Sequence, residues 1–249
     1  MNINDILTKI EYTKERSAKG LFEFVKQKDK ELSGWNLEHS DTKTRRKIRY
    51  RELDKGLPRK LRHELTPFAY YAKTYYINTP SARFKPCCGS EEYDGIIFDS
   101  NKKIFVEITN AIAGRKWGLQ KELLIENGCS PWAHNIRGVQ GNKTKRKRSA
   151  SDIIISNDSP SHKDTICKAK ELVKKTANKK CKKSMGPKQP YGENKTILII
   201  TFDDTVFFIE SDWNDFVNFK QAEIDSIKHN FIKIILFGRI SKKFIPENL

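Results

Sequence analysis

Residues 94–109 read DGIIFDSNKKIFVEIT, and this stretch decides the fold of the chain. Two runs rich in apolar side chains, 95–98 and 104–108, flank the tetrapeptide Asp-Ser-Asn-Lys at 99–102. Aspartate, serine and asparagine favour tight turns, and short apolar runs on both sides of a turn are typical of paired strands. The stretch therefore predicts a β-hairpin.

The hairpin brings two acidic residues together. A turn centred between Ser100 and Asn101 places Asp94 directly opposite Glu107, and opposed side chains share one face with Cβ atoms about 4.5–5.5 Å apart. Two carboxylates at that separation repel each other unless a proton or a cation lies between them. A hard divalent cation such as Mg²⁺ prefers oxygen ligands of this kind. The hairpin therefore predicts a metal site.

An ordinary surface hairpin is the alternative, because opposed acids are tolerated where water surrounds them. The neighbours of Glu107 argue against it: Val106 and Ile108 flank the carboxylate, and Phe105 shares its face. A carboxylate within an apolar strand is costly to bury unless it is paired or binds a metal.

The elements on either side predict an α/β fold with a mixed central β-sheet flanked by helices. Residues 1–80 are mostly helical and basic in pattern. A helix over 114–127 is closed by Gly128. The segment 161–180 predicts an amphipathic helix, and its apolar positions recur at helical spacing: Ile166, Ala169, Val173 and Ala177.

The last third of the chain predicts a strand over 196–202, a helix over 212–224 and a strand over 231–237. The final strand is apolar almost throughout, which favours a central place in the sheet. The division that we predict is a basic helical N-terminal arm, residues 1–60, followed by one α/β domain, residues 61–249.

The net charge of the chain and its clustering indicate the class of binding partner. The chain has 48 Lys and Arg against 31 Asp and Glu, a formal net charge of +17 and a pI near 9.6. Residues 41–62 hold 10 basic residues against 3 acidic, and residues 143–148 hold 5 basic residues in 6. Clustered positive charge favours nucleic acid, whereas a merely solvated basic surface is the alternative.

The compartment is predicted to be the cytoplasm. No apolar run is long enough to cross a bilayer, which predicts no membrane partner, and residues 1–5 lack the features of a signal peptide. Five cysteines without a pairing pattern fit a reducing environment. A zinc site from Cys87, Cys88, Cys129 and His134 is an alternative use of these side chains, although the usual two-residue spacing between ligands is absent.

The hairpin also resembles a known family. Tyr93-Asp94-Gly95, a short turn, and then Phe105-Val106-Glu107-Ile108-Thr109 resemble the Asp…Glu-x-Lys hairpin of the PD-(D/E)XK (restriction-endonuclease-like) nuclease superfamily. The helix over 114–127 and the later helix, strand, helix and strand follow the family's order of elements. The resemblance implies a restriction-endonuclease-like core and a Mg²⁺-dependent endonuclease, in which Mn²⁺ can substitute.

The resemblance also assigns roles. Asp94, Glu107 and the carbonyl of Ile108 would bind the metal, and Glu64 from an upstream helix, or as second choice Glu52, would complete the site. The substrate implied by the family is DNA rather than RNA. An enzyme that cuts both strands of a duplex is expected to be a homodimer.

One position departs from the family pattern, because Thr109 stands where the family has its catalytic lysine. A hydroxyl cannot supply the positive charge that stabilises the transition state. Lys116 and Gln120, four residues apart on the next helix, predict a relocated catalytic group, and Lys121 is a rival. Otherwise hydrolysis has been lost and the domain only binds nucleic acid.

Two basic segments are predicted to contact the phosphate backbone, which positions a substrate without reading its sequence. Trp117 and Trp132 are candidates for stacking on bases, although the helical phase of Trp117 also fits the core. The predicted phosphate contacts are Arg45, Arg46, Lys47, Arg49 and Arg51 on a helix and Lys143, Lys145, Arg146, Lys147 and Arg148 in a loop. A basic structural or assembly protein whose partner is an acidic protein or RNA is a third interpretation.

Overall fold

The protein is described from a computed structural model. The residues that the structure describes are 3–89, 91–131, 135–142, 149–156, 160–186, 195–205, 207 and 209–245. The helices are α1 (Ile3–Ile6), α2 (Lys9–Thr13), α3 (Ala18–Glu38), α4 (Lys43–Leu53), α5 (Gly56–Lys60), α6 (Thr66–Tyr76), α7 (Gly114–Asn127), α8 (His162–Ser184) and α9 (Glu210–Phe219). A π-helical turn, Leu61–Leu65, joins α5 to α6, and a second, Lys220–Ile224, follows α9.

Five strands form the main sheet in the order β1-β2-β3-β6-β7, and two form a small separate sheet. The strands are β1 (Arg83–Pro86), β2 (Gly95–Asp99), β3 (Lys102–Ala111), β4 (Ile136–Val139), β5 (Ile153–Ile155), β6 (Thr196–Phe202) and β7 (Lys233–Gly238). Strands β1 to β3 are antiparallel, whereas β3, β6 and β7 are parallel. The predicted α/β class with a mixed central sheet is confirmed.

The predicted hairpin is confirmed together with its register. Ile96 pairs with Phe105, and Phe98 pairs with Lys103. Ser100 in the turn has a φ of 52°, a left-handed conformation that tight turns require. Asp94 lies one residue before β2, so the register carries it to the position beside Glu107.

Helices cover both faces of the sheet, which explains the apolar sequence of its parallel strands. In β6, Ile197 and Ile199 pack with α1, α3 and α6, whereas Leu198 and Ile200 pack with α8 and α9. Strand β7 was predicted to be central, but it is the last strand in the order. Its apolar run reflects coverage by helices on both faces and not a central place.

Side chains from the first 60 residues take part in the same core as the sheet. Leu21, Val25 and Trp35 of the long helix α3 are buried in one cluster with Phe84 of β1 and Val106 of β3. The helices of the predicted arm therefore position the sheet edge that carries Asp94.

Helix α7 packs away from the main sheet. Leu119 and Leu123 are buried against Ile136, Val139 and Ile153 of the small β4–β5 sheet. The helix ends as predicted at Gly128, which has a φ of 77°. None of the helices in the described residues is both long and apolar enough to span a membrane.

Candidate carboxylate site

The backbone of the third strand holds Asp94 in place. Its N–H donates to the carbonyl of Val106 at 2.8 Å, and its Oδ2 accepts from the N–H of Ile108 at 2.7 Å. Glu107, between these two residues, is only 7% exposed. The hairpin thus holds Asp94 against the backbone of the two residues that flank Glu107.

Glu64 approaches from the π-helical turn, which contacts β3. Burial, followed by the charges of Glu64 and Glu107, raises the pKa of Asp94 to about 7, against the opposing hydrogen bond from Ile108 and the charge of Lys60. Glu64 and Glu107 therefore both lie close enough to Asp94 to act on its carboxyl group.

Two lysines neutralise this group of acids. Lys60 donates to Oε2 of Glu64 at 2.9 Å from one turn earlier in the chain. Lys180 of α8 donates to Oε1 of Glu107 from the opposite layer, and the two side chains are 21% and 10% exposed. A half-buried ammonium group thus occupies the place beside Glu107.

Sequence reasoning did not single out Lys180. Its signal was its phase in the amphipathic helix, because it lies three residues after the buried Ala177 and next to the buried Cys181. A lysine on the apolar face of a helix points toward the core and needs a partner there. Only the packing of α8 on β3 shows that this partner is Glu107.

Tyr12 is a second neighbour that sequence reasoning missed. The residue is fully buried, and burial and then the charges of Glu64 and Asp94 raise the pKa of its hydroxyl group. Its oxygen has no hydrogen-bond partner within the described chain. A neutral hydroxyl donor thus lies near two of the carboxylates.

Thr109 is half-buried on β3 and pairs with Ile200. It follows Glu107 by two residues, so both side chains point to the same face of the sheet, the face that α8 covers. On that face the lysine is Lys180 of α8, and position 109 supplies none.

Helix α7 carries the residues predicted to replace the missing lysine. Gln120 donates its amide N–H to the carbonyl of Pro131 at 3.0 Å, and Lys121 is paired with Asp54. Burial and then the charges of Lys168 and Arg137 lower the pKa of Lys116. The lysine in contact with Glu107 is Lys180.

The donor set suits a hard cation, since carboxylate oxygens are what Mg²⁺ prefers. As the described residues stand, no three His, Cys, Asp or Glu side chains converge on one point that could hold a metal ion. Instead, Lys60 forms an ion pair with Glu64, and Lys180 forms one with Glu107. Holding a metal therefore requires at least one lysine to move aside.

The alternative zinc ligands are in different environments. Cys87 and Cys88 are buried, whereas Cys129 is exposed. His134 lies outside the described residues, as do the predicted stacking residue Trp132 and the predicted phosphate-binding loop at 143–148.

Most of the predicted phosphate contacts on α4 have partners within the protein. Arg45 pairs with Asp41 at 3.1 Å and Arg51 with Glu52 at 2.6 Å. Arg46 donates to the carbonyl oxygens of Ile125 and Glu126 at the end of α7. Arg49 donates to the hydroxyl of Tyr50, and Lys47 is exposed.

A second basic group lies where the parallel strands end. Arg239 directly follows β7, and His63 hydrogen-bonds Asn110 near the end of β3. Burial and then the charges of Arg239 and Arg62 lower the pKa of His63 to about 4. Burial, followed by the charge of Arg62, also lowers the pKa of Arg239. The carboxyl edge of an open α/β sheet is a common place for ligands, and at this edge the charges of Asp203 and Asp204 also act on Arg239.

Comparisons with known proteins add no relative: no family model, no curated protein and no solved structure is significantly similar to this chain.

Proposed function

We propose that the chain is a metal-dependent nuclease that hydrolyses phosphodiester bonds, with a restriction-endonuclease-like core and with DNA preferred over RNA. The observation that carries the proposal is the hairpin register, which holds Asp94 beside the buried Glu107, with Glu64 approaching from the neighbouring layer. Two carboxylates that raise the pKa of a third in this way favour a cation between them.

In this proposal Asp94, Glu107 and Glu64 hold Mg²⁺ or Mn²⁺, and the carbonyl of Ile108 is a fourth oxygen ligand. The bound ion would polarise the phosphate and lower the pKa of an attacking water. Loss of the proton from Asp94 precedes binding, because a metal ligand must be deprotonated.

Lys180 takes the part that the resemblance gives to a lysine at position 109. Its ammonium group reaches the same face of β3 from α8. Once Glu107 binds the cation, this group is free to stabilise the negative charge that develops on the phosphate. Lys116 and Gln120 remain the competing candidates on α7.

The net charge of +17 supports a polyanionic substrate. Arg62 lies two residues before Glu64, and Arg239 lies at the carboxyl edge of the sheet. Both would bind backbone phosphates.

One observation favours a second candidate function, a non-catalytic nucleic-acid-binding protein on the same fold. Both Glu64 and Glu107 are already neutralised by lysines, and Thr109 replaces the family lysine. A site compensated in this way is stable without metal, and such a protein would bind nucleic acid in a salt-dependent and metal-independent way.

The test is incubation of the purified full-length protein with plasmid DNA, single-stranded DNA and RNA in Mg²⁺, in Mn²⁺ and in EDTA. We expect metal-dependent cutting that Glu107→Gln slows on the order of a hundredfold or more, because it removes a metal ligand without changing the shape of the side chain.

Glu92→Gln is the matched control. Glu92 is an exposed glutamate two residues before Asp94, so this variant should cut at the rate of the unmodified protein. Equal cutting by the Glu107→Gln and Glu92→Gln variants would attribute the activity to a contaminant. Binding without cutting, equal in EDTA and in Mg²⁺, would establish the second candidate instead.

A further inference from the structure

An open cavity of about 280 Å³ lies between α3, α4, the π-helical turn and α7. Ligand pockets in proteins usually measure roughly 300–1,000 Å³, so this one has room for a single small ligand. It is distinct from the carboxylate site, since its lining contains none of Asp94, Glu107 and Glu64.

Three polar atoms of the cavity lining lack partners. Oδ1 of Asn36, Oε1 of Gln120 and Nε of Arg49 are buried and have no hydrogen-bond partner among the described residues. The amide of Gln120 is oriented by its N–H group, which donates to Pro131 and so leaves the oxygen free. Unmet buried polar atoms destabilise a fold, and a ligand that supplies N–H donors to the two oxygens would remove this cost.

The same cavity attracts an anion. Arg49 and Arg62 both line it, and no carboxylate in the described part of the chain lies within ion-pair distance of either guanidinium group. Burial lowers the pKa of Arg62, the charge of Asp29, which also lines the cavity, opposes this, and the charge of Arg49 adds a smaller lowering. Two guanidinium groups in one lining supply the charged N–H donors that bind a phosphate well.

An aromatic surface completes the lining. Trp117 is 39% exposed although its helical phase fits the core. The ring of Tyr50 also lines the cavity, and the guanidinium group of Arg49 lies over it at 4.4 Å from the ring centroid. An exposed indole ring is a stacking surface for a planar heteroaromatic ring.

We propose that this cavity binds a nucleotide, with its base against Trp117, its base N–H groups donating to Asn36 and Gln120, and its phosphate held by Arg49 and Arg62. A ring with N–H donors and an attached phosphate is the chemistry that meets all these groups at once. Its source is either a free nucleotide or one nucleotide turned out of a strand.

The test is isothermal titration of the full-length protein, in EDTA, with the four nucleoside 5′-monophosphates, a short single-stranded oligonucleotide, adenosine and inorganic phosphate. We expect at least one monophosphate or the oligonucleotide to bind more tightly than adenosine or phosphate alone. Trp117→Ala and Arg62→Gln should each weaken that binding about tenfold.

Lys19→Gln is the control, because it removes one positive charge from an exposed position of α3 outside the cavity lining. Gln120→Leu is a second test that keeps the indole ring, and thermal melting of each variant without ligand verifies folding. Because EDTA removes metal, the measurement stands whether or not the protein cuts nucleic acid.

Binding of monophosphates identifies a free nucleotide, and binding of the oligonucleotide alone identifies a nucleotide within a strand. The proposal is overturned if neither binds, if phosphate alone binds as tightly as the nucleotides, or if folded Trp117→Ala and Arg62→Gln proteins bind like the Lys19→Gln protein.

Discussion

The carboxylate site and the nucleotide cavity differ in sign and in how their charges are compensated. At the carboxylate site, Glu64 and Glu107 each have a lysine partner. In the cavity, Arg49 and Arg62 share the lining with Asp29, and within the described residues neither arginine has a carboxylate at ion-pair distance. A paired half-buried charge is costly to break, whereas an unpaired one is costly to keep. We therefore expect the carboxylate site to be stable without a ligand, and the cavity to be stabilised when a ligand binds.

Removing Lys180 is expected to have the largest effect. Lys180→Met should slow metal-dependent cutting on the order of a hundredfold, because the transition state loses its positive group. The same change should lower the free energy of unfolding by about 2 kcal/mol, because Glu107 is left buried without a partner. Single-turnover cleavage and urea denaturation measure the two effects.

Lys179→Met is the matched control on the adjacent, exposed position of α8, and both quantities should stay near their original values. Loss of cutting in Lys116→Gln together with normal cutting in Lys180→Met would place the catalytic lysine on α7 instead.

Asp94 is expected to give the next largest effect, and the size of this effect depends on pH. Its pKa is about 7 in the folded protein against an ordinary 3.8. Between these values the unfolded chain has lost the proton that the folded protein keeps, so stability falls as the pH rises through this window. Asp94→Asn removes this titration and can still accept from Ile108 through its amide oxygen.

The Asp94→Asn protein should therefore be more stable than the original protein by about 1–2 kcal/mol at pH 8 in EDTA, with almost no difference at pH 4. Urea denaturation at both pH values tests this. An equal difference at pH 4 and pH 8 would mean that Asp94 is not held next to other carboxylates.

The hairpin could be predicted in full because its determinants are local. The turn residues at 99–102 and the apolar runs beside them fix the register, and a shift by one residue would turn every side chain to the opposite face. The opposition of Asp94 and Glu107 follows from that register. The end of α7 was equally predictable, since Gly128 supplies a left-handed conformation that other residues adopt at a cost.

The partners of these residues could not be predicted in the same way. Lys180 meets Glu107 across 73 positions of sequence, and only the packing of α8 on β3 decides which lysine reaches it. The direction of α7 is set by Leu119 and Leu123 on the small sheet, and that placement leaves Trp117 exposed in a cavity. The periodicity of a helix predicts which of its faces is buried, but it does not predict which surface packs against that face.

The smallest effect should come from Arg62 and Arg46, which differ in whether the guanidinium group has a partner within the protein. Arg62→Met removes a half-buried charge that lacks an ion pair and keeps an unbranched stem of similar length, so it should raise the free energy of unfolding by about 1 kcal/mol. Arg46→Met should lower it by about 1 kcal/mol, because Arg46 donates to the carbonyl oxygens of Ile125 and Glu126 at the end of α7. Urea denaturation of both variants at neutral pH without ligand gives the two signs. A loss of stability in both would mean that Arg62 already has a structural partner, and the contrast between a compensated and a ligand-dependent region would then disappear.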